Sequence, residues 1–126
     1  MKAYKLLFLI LLVLTSCDND GSHVGMVGIY EVIIPDTVTN RDKVQIYAQA
    51  EAYDGCWRDL YLELKKVNEF EYTLKAYGTF ETTGVCPAVM VYKDTLIDFQ
   101  PTQYGVYTFK VSKYSNKVEV YTMVVE

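Results

Sequence analysis

The sequence predicts an all-β fold, a β-sandwich of about seven antiparallel strands. From residue 29 onward, apolar and polar residues alternate with the period of two that a strand with one buried face shows. Turn-forming residues interrupt this alternation roughly every 8–15 residues, as they do in sandwiches. Valine, isoleucine, threonine, phenylalanine and tyrosine, which favour pleated strands, dominate the apolar content after residue 16. An up-and-down barrel that holds a ligand needs about eight strands or more, so the count favours a sandwich.

The strands of the first half are separated by clear turn signals. Pro35 ends the first strand, and Asp54-Gly55 marks the turn after the second. The second strand has the clearest pattern, in which Val44, Ile46 and three alanines alternate with polar residues. The strands of this half are predicted at residues 30–34, 44–52, 60–65 and 70–77.

The second half continues the same pattern after a loop at residues 78–87. Residues 89–99 form one bent strand or two short ones, and further strands are predicted at residues 107–112 and 118–124. A helix over residues 60–68 is an alternative, because Leu60, Leu64 and Val67 would share one helical face. Tyr61 and Leu62 fit that face less well, and we therefore favour a strand.

The N-terminal segment is typical of a secretory signal peptide. Lys2 and Lys5 precede an unbroken apolar run at residues 6–14, and the small residues Thr15 and Ser16 follow it. A membrane-spanning helix needs about 20 apolar residues, more than this run provides. We therefore expect export of the protein and removal of residues 1–16.

The residues Leu14-Thr15-Ser16-Cys17 resemble the lipobox of bacterial lipoproteins. The resemblance implies cleavage before Cys17 and attachment of acyl chains, palmitate among them, to that cysteine. Lipoproteins of this kind carry two or three chains, which anchor a protein more firmly than one. An ordinary secretory signal peptide with a free cysteine after it is the alternative.

Residues 17–28 are predicted to form a lipidated tether, and residues 29–126 to form the β-sandwich domain. The tether contains several glycines and shows little periodicity. Asp18-Asn19-Asp20 follows the lipidated cysteine, where acidic residues act as sorting signals in bacterial lipoproteins. Such signals retain some proteins at the inner membrane and send others to the cell surface. We expect an envelope protein of the outer membrane or cell surface.

The charge of the chain limits its partners. Without the signal peptide there are ten basic and sixteen acidic residues, a net charge of −6. This balance, with no basic cluster in the sequence, argues against nucleic acid and against binding to anionic lipid beyond the anchor itself. The expected partners are a membrane, through the N-terminal lipid, and an unknown protein or glycan.

Cys56 and Cys86 are the cysteines that remain after lipidation. An even pair in an exported protein predicts a disulfide. Closing a loop of about 30 residues would stabilise the fold by about 3–4 kcal/mol on the chain-entropy model. A metal site would need further ligands nearby, and His23, the only histidine, lies in the predicted tether. A redox pair would lie closer together in sequence.

The segment from Phe99 to Phe109 resembles the corner before strand F of immunoglobulin-like domains. In that family a Gly-x-Tyr run places a tyrosine whose hydroxyl bonds to the backbone upstream. The resemblance implies this role for Tyr107 and a core position for Phe109. Cys56 and Cys86 do not occupy the positions of the family's inter-sheet disulfide, so the similarity is a loose one, closer to fibronectin type III domains. Seven alternating strands would bring both cysteine loops to the membrane-facing pole, beside the start of the first strand.

The sequence predicts no catalytic residue, no cofactor and no metal. It has one histidine and none of the phosphate-binding glycine loops, HExxH pairs or CxxC pairs that mark common enzymes. Asp54 with Asp59, or Asp94 with Asp98, could form carboxylate pairs. Each pair flanks a strand end, where solvated acidic residues are ordinary. We therefore expect a protein that is not an enzyme.

Tyrosines on the strands are candidate binding residues, because exposed aromatic rings stack on sugars and anchor protein partners. The alternation places Tyr47 and Tyr77 outward on one sheet, and Tyr61 and Tyr121 outward on the other. The division between two faces leaves no single platform. The alternative is that these are ordinary strand tyrosines, covered in part by neighbouring Lys and Glu side chains.

Trp57 and Arg58 form a second candidate site at the loop that contains Cys56. A tryptophan beside an arginine is typical of the residues that dominate protein interfaces. The alternative is that Trp57 folds over the disulfide and caps the core.

These observations predict a lipid-anchored, non-enzymatic envelope protein that acts by protein or glycan contact through an immunoglobulin-like domain. The alternative is an anchored inhibitor or immunity protein that blocks a protease or toxin. The small size, acidic charge and predicted lipid anchor of the chain are compatible with this alternative.

Overall fold

The computed structural model describes residues 21–126, except residue 83 and the side chain of residue 115. The predicted signal peptide and Cys17, the predicted lipidation site, lie outside the described residues. In this part of the chain a 3-10 turn, Tyr114–Asn116, precedes the last strand, and no helix is long and apolar enough to cross a membrane. The eight strands are β1 (Ser22–Ile33), β2 (Thr37–Val38), β3 (Val44–Ala52), β4 (Trp57–Asn68), β5 (Glu71–Glu81), β6 (Val91–Phe99), β7 (Gly105–Ser112) and β8 (Val118–Val125).

The strands form one mixed, curled sheet. Their hydrogen-bonded order is β2-β8-β7-β5-β1-β3-β6, and β4 pairs with β5 outside this path. β5 pairs with β4 along one edge, while its first half pairs with β7 and its second half with β1 along the other edge. β1 is shared in the same way, since its start pairs with β5 and its end pairs with β3. The curl of the sheet encloses the core.

The core consists of two neighbouring clusters on the inner faces of the strands. Ile29, Leu74 and the alanines of β3 belong to the first cluster. Ile46, Tyr107 and Phe109 belong to the second, in which aromatic rings contact one another edge to face. Phe109 is fully buried, in the core position that the immunoglobulin resemblance implies.

β1 begins at Ser22, well before the predicted start of the domain at residue 29. The glycines that indicate a tether in the sequence are required by packing. A Cβ atom on Gly25 would lie 2.9 Å from the ring of Trp57, and one on Gly28 would lie 2.7 Å from the ring of Tyr114. Residues 22–28 are therefore part of the sheet, and their interpretation as tether is wrong.

The predicted all-β fold and the predicted disulfide are both confirmed. Residues 57–68 form a strand and not a helix, with Leu60 buried on the inner face and Tyr61 exposed on the outer face. Residues 91–99 form one continuous strand. A disulfide joins Cys56, before β4, to Cys86, before β6.

The prediction of a purely antiparallel sheet is wrong. β5 pairs with β7, and β2 pairs with β8, in parallel. β2 lies between the strands predicted at residues 30–34 and 44–52, where the sequence predicts no strand, and it exists because Val38 buries its side chain beside Val125. The alternation of apolar and polar residues indicates neither whether two strands pair in parallel or antiparallel nor where a strand of only two residues lies.

Candidate functional site

A cleft of about 270 Å³ opens between β1, the ends of β3 and β4, and the turn that connects β7 to β8. Aromatic side chains form much of its wall, and two polar side chains lie beside them. The lining residues are Met26, Val27, Gly28, Ala52, Tyr53, Trp57, Lys113, Tyr114 and Asn116.

Two tyrosine rings form one wall of this cleft. The centroids of Tyr53 and Tyr114 are 4.2 Å apart, with the ring planes at 45°. Gly28 has no side chain, so Tyr114 lies directly against β1. The ammonium group of Lys113 donates a hydrogen bond to the carbonyl of Tyr30 (2.9 Å) and so fixes the turn to the end of β1.

Trp57 and Arg58 do not form one site, because successive residues of β4 point to opposite faces. Trp57 is half-buried and contacts Phe80 edge to face, with ring centroids 5.3 Å apart. His23, which the sequence places in a tether, packs beside the same rings. Trp57 thus covers the inner face over β1 and β5. Arg58 is exposed and pairs with Glu81 (2.5 Å).

Tyr61 and Tyr77 meet on the outer face of β4 and β5. They are cross-strand neighbours, and their rings stack with centroids 5.5 Å apart and planes at 25°. The assignment of these two tyrosines to different sheets is therefore wrong. The error arises because the sequence does not show that β4 and β5 form a hairpin within one sheet.

Tyr121 lies on the inner side of β8 and packs against both core clusters. Its predicted outward position is therefore wrong. The hydroxyl of Tyr121 donates a hydrogen bond to Oε2 of Glu119 (2.7 Å). Burial and this hydrogen bond raise the pKa of Tyr121 to about 12. The side chain supports the core rather than a binding surface.

Tyr47 does point outward, on a face formed by β1, β3 and β6. Its hydroxyl donates to Oδ1 of Asp94 (3.1 Å), and the side-chain amide of Gln49 donates to the same oxygen (2.8 Å). Desolvation first, then the carboxylates of Asp94 and Glu31, raise the pKa of Tyr47. The tyrosine and two acidic residues therefore share one patch.

Glu51 is a residue of this outer face that the sequence gives no reason to single out. Like Tyr47 and Gln49, it alternates with the alanines of β3, and its sequence position is that of an ordinary solvent-exposed charged residue on a strand. In the structure it is only 6% exposed, and its Oε2 atom has no hydrogen-bond partner among the described residues. Burial raises the pKa of its carboxyl group. The covering of this side chain arises from tertiary packing, which a local pattern cannot reveal.

Asp54 and Asp98, one from each of the carboxylate pairs considered in the sequence, make local structural contacts. Oδ1 of Asp54 accepts a hydrogen bond from the backbone N–H of Cys56 (2.9 Å), and Asp98 pairs with Lys43 (3.2 Å). The carboxylate of Asp54 also lies within 4.8 Å of the sulfur atoms of Cys56 and Cys86. Because both sulfurs are bonded in the disulfide, they provide no thiolate for a metal.

The hydroxyl of Tyr107 contacts the backbone upstream, as the resemblance to immunoglobulin-like domains implies. It accepts hydrogen bonds from the N–H groups of Thr102 (3.3 Å) and Gln103 (3.1 Å) and donates one to the carbonyl of Gln103 (3.2 Å). The side chain is fully buried. Tyr107 therefore holds the corner between β6 and β7.

Comparisons with known proteins add no identity to this geometry. No protein-family model, no curated protein and no solved structure matches the chain.

Proposed function

We propose that this chain is a lipid-anchored, non-enzymatic protein of the bacterial cell envelope that acts by contact and takes a glycan in its cleft. The observation that carries the proposal is the convergence of Tyr53, Tyr114 and Trp57 on one cleft. Aromatic faces stack on the C–H surfaces of sugars, while Lys113 and Asn116 can donate hydrogen bonds to sugar oxygens. Few polar groups in a mostly apolar concavity are typical of small-ligand sites.

The position of the cleft fits an anchored protein. Ser22, the first residue of β1, pairs with Glu81, whose N–H donates to the carbonyl of Cys56. The start of β1, the disulfide and the cleft therefore share one end of the domain. The four residues between Cys17 and Ser22 would span at most about 14 Å. A lipid on Cys17 would hold this end of the domain close to the membrane.

We also propose that the domain is a sandwich of loosely immunoglobulin-like type. The neighbouring strands β1, β3 and β6 correspond to strands A, B and E of that fold, and β7 and β8 to its F–G hairpin. The contacts of Tyr107 support the same relationship. The parallel pairing of β5 with β7 is a departure, which is why the relationship is loose.

The single tryptophan of the chain provides a direct test of the cleft. A saccharide that enters the cleft should change the fluorescence of Trp57 in the full chain. Tyr114→Ala should weaken that binding about tenfold or more, since truncating a central aromatic contact typically costs over 1 kcal/mol. Tyr61→Ala, on the outer face of β4, is the matched control and should bind as the parent does. A saccharide that binds both variants equally well would contradict the proposed site.

The anchor is tested separately. Metabolic labelling with palmitate should mark the parent chain and leave Cys17→Ser unmarked, with the variant released from the membrane fraction. An unlabelled parent chain would refute lipidation without bearing on the cleft.

A second role, that of an anchored inhibitor or immunity protein, is favoured by a different observation. On the outer face of β1, β3 and β6, Glu31, Glu51 and Asp94 have no ion-pair partner within the described part of the chain, and only Asp98 has one. Such a face is suited to a protein partner of opposite charge.

A further inference from the structure

The outer face of β1, β3 and β6 is organised in rows that cross the three strands. One row contains Glu31, Gln49 and Asp94, and the next contains Ile33, Tyr47 and Leu96. Rows on one face of a sheet are about 6.8 Å apart, the distance between alternate residues of an extended chain. The face therefore presents charge and apolar surface at a spacing that an extended segment can match.

The apolar row is open to solvent. Ile33 is 57% exposed and Leu96 is 61% exposed, and Tyr47 lies between them. On the other side of the acidic row, Tyr30 contacts Tyr92, with ring centroids 6.2 Å apart. Both of these rings are also exposed. Apolar side chains thus flank the acidic row on both sides.

The charges of this face are unbalanced. The three strands carry four acidic residues, Glu31, Glu51, Asp94 and Asp98, against one basic residue, Lys93. Of these four acidic residues, only Asp98 has an ion-pair partner within the described part of the chain, and that partner is Lys43. Asp94 accepts hydrogen bonds from uncharged groups alone in this part of the chain.

Glu51 gives an independent indication of a ligand. It lies in the row beside Glu31 and Asp94, next to Tyr92 on β6, and its Oε2 atom is buried with no partner in the described structure. A buried carboxylate oxygen without a hydrogen bond is costly. A cationic group bound on the adjacent row of Glu31 and Asp94 would offset part of that cost through its charge.

We propose that the outer face of β1, β3 and β6 docks an extended, cationic segment of a partner protein. Basic side chains of the segment lie on the row of Glu31 and Asp94, and aliphatic side chains lie on the row of Ile33, Tyr47 and Leu96. Charge complementarity selects this occupant, because the same acidic rows repel anionic lipid and other acidic surfaces. The proposal does not depend on the glycan cleft, which lies on other residues.

The probe for this face is a synthetic peptide in which Lys and Leu alternate at every second position, with Ser between them. We expect the full chain to bind this peptide, measured by fluorescence anisotropy, and to bind a matched Glu–Leu peptide much more weakly. Glu31→Gln with Asp94→Asn should weaken binding of the Lys–Leu peptide about tenfold, as the loss of two charge contacts implies. Added salt should reduce the difference between the double variant and the parent chain.

A matched control separates this face from the overall negative charge. Glu63→Gln with Glu69→Gln removes two acidic residues from the β4–β5 hairpin and should leave the affinity within about twofold of the parent. Leu96→Ser should weaken binding while leaving the net charge unchanged. Equal losses in the two double variants, or no binding of the Lys–Leu peptide, would overturn the proposal.

Binding to anionic vesicles that needs Glu31 and Asp94 would overturn it in favour of a membrane surface. Because Tyr114→Ala leaves the rows intact, it should bind the peptide as the parent does, whatever the outcome for saccharides.

Discussion

The outer face of the β4–β5 hairpin and the outer face of β1, β3 and β6 contain similar residues arranged in different ways. On the hairpin, Tyr61 stacks on Tyr77, and Glu63 lies opposite Lys75 in the strand register. On the other face the acidic residues lie opposite glutamine, tyrosine or glycine. The first face sets Lys75 opposite Glu63 and pairs Arg58 with Glu81. The second leaves Glu31, Glu51 and Asp94 without an ion-pair partner among the described residues, and only its Asp98 has one. We therefore expect the hairpin face to stabilise the fold, and the other face is the one that we propose for contact with a partner.

Two structural features hold the loops between the strands in place. The disulfide links the loop before β4 to the loop before β6, and the corner at Tyr107 links β6 to β7. Changes at these connections should affect stability, whereas changes on the acidic face should affect binding.

The largest expected effect is the loss of the disulfide. Cys56→Ser with Cys86→Ser should lower the free energy of unfolding by about 3–4 kcal/mol, since it releases a loop of about 30 residues in the unfolded chain. Urea denaturation of the oxidised parent and the double variant measures this difference. A difference below about 1 kcal/mol would show that the two regions hold together without the crosslink.

Tyr107→Phe should have the next largest effect. The substitution keeps the buried ring but leaves the N–H groups of Thr102 and Gln103 without their acceptor. These hydrogen bonds are partly buried, and each contributes about 0.5–1.5 kcal/mol. Tyr104→Phe, at an exposed position of the same corner, is the control and should leave the unfolding free energy almost unchanged. Equal stability of the two variants would contradict a supporting role for the hydroxyl.

The tyrosine pair of the hairpin should contribute less. A double-mutant cycle with Tyr61→Ala and Tyr77→Ala should give a coupling energy of about 0.5–1.5 kcal/mol, the range for aromatic pairs in contact. The affinity for the Lys–Leu peptide should not change in any of these variants. A loss of affinity would place the contact surface on the hairpin and reverse the comparison between the faces.

The smallest effect concerns the dependence of stability on pH. The pKa of Glu51 is raised in the folded state by burial, so the folded protein holds this proton more tightly than the unfolded chain does. Its contribution is therefore favourable below the unfolded pKa of about 4.3 and is lost as the pH rises through the folded pKa. Glu51→Gln should remove this part of the pH dependence. Unfolding curves of the parent and the variant, collected from acidic to neutral pH, should converge at low pH and separate as the pH rises. Curves that stay parallel would contradict a buried, destabilised carboxylate.

Local alternation predicted most of the strands, including the one at residues 44–52, because each strand has one buried and one exposed face. It did not predict β1 from Ser22, since Gly25 and Gly28 resemble a linker until Trp57 and Tyr114 are placed over them. Local alternation also does not predict which strands pair in the sheet, because pairing depends on residues far apart in sequence.

The candidate sites show the same division. Trp57 was identified from its residue type, but its partners in the cleft come from β3 and from the turn before β8. The alternation predicts the wrong face for Tyr121 and gives no indication that Glu51 is buried, because burial of a polar strand residue depends on the side chains that pack over it. Residue type therefore draws attention to Trp57, and only the fold shows the aromatic cleft around it.

The most direct test of which face makes contact is photo-crosslinking in living cells. A photoreactive side chain would replace Leu96 on the acidic face or, as the matched position, Glu63 on the hairpin face. We expect a discrete protein adduct from position 96 that disappears when Glu31→Gln and Asp94→Asn are added. Adducts that form only from position 63, or adducts from position 96 that persist without the two carboxylates, would contradict the assignment of contact to the acidic face.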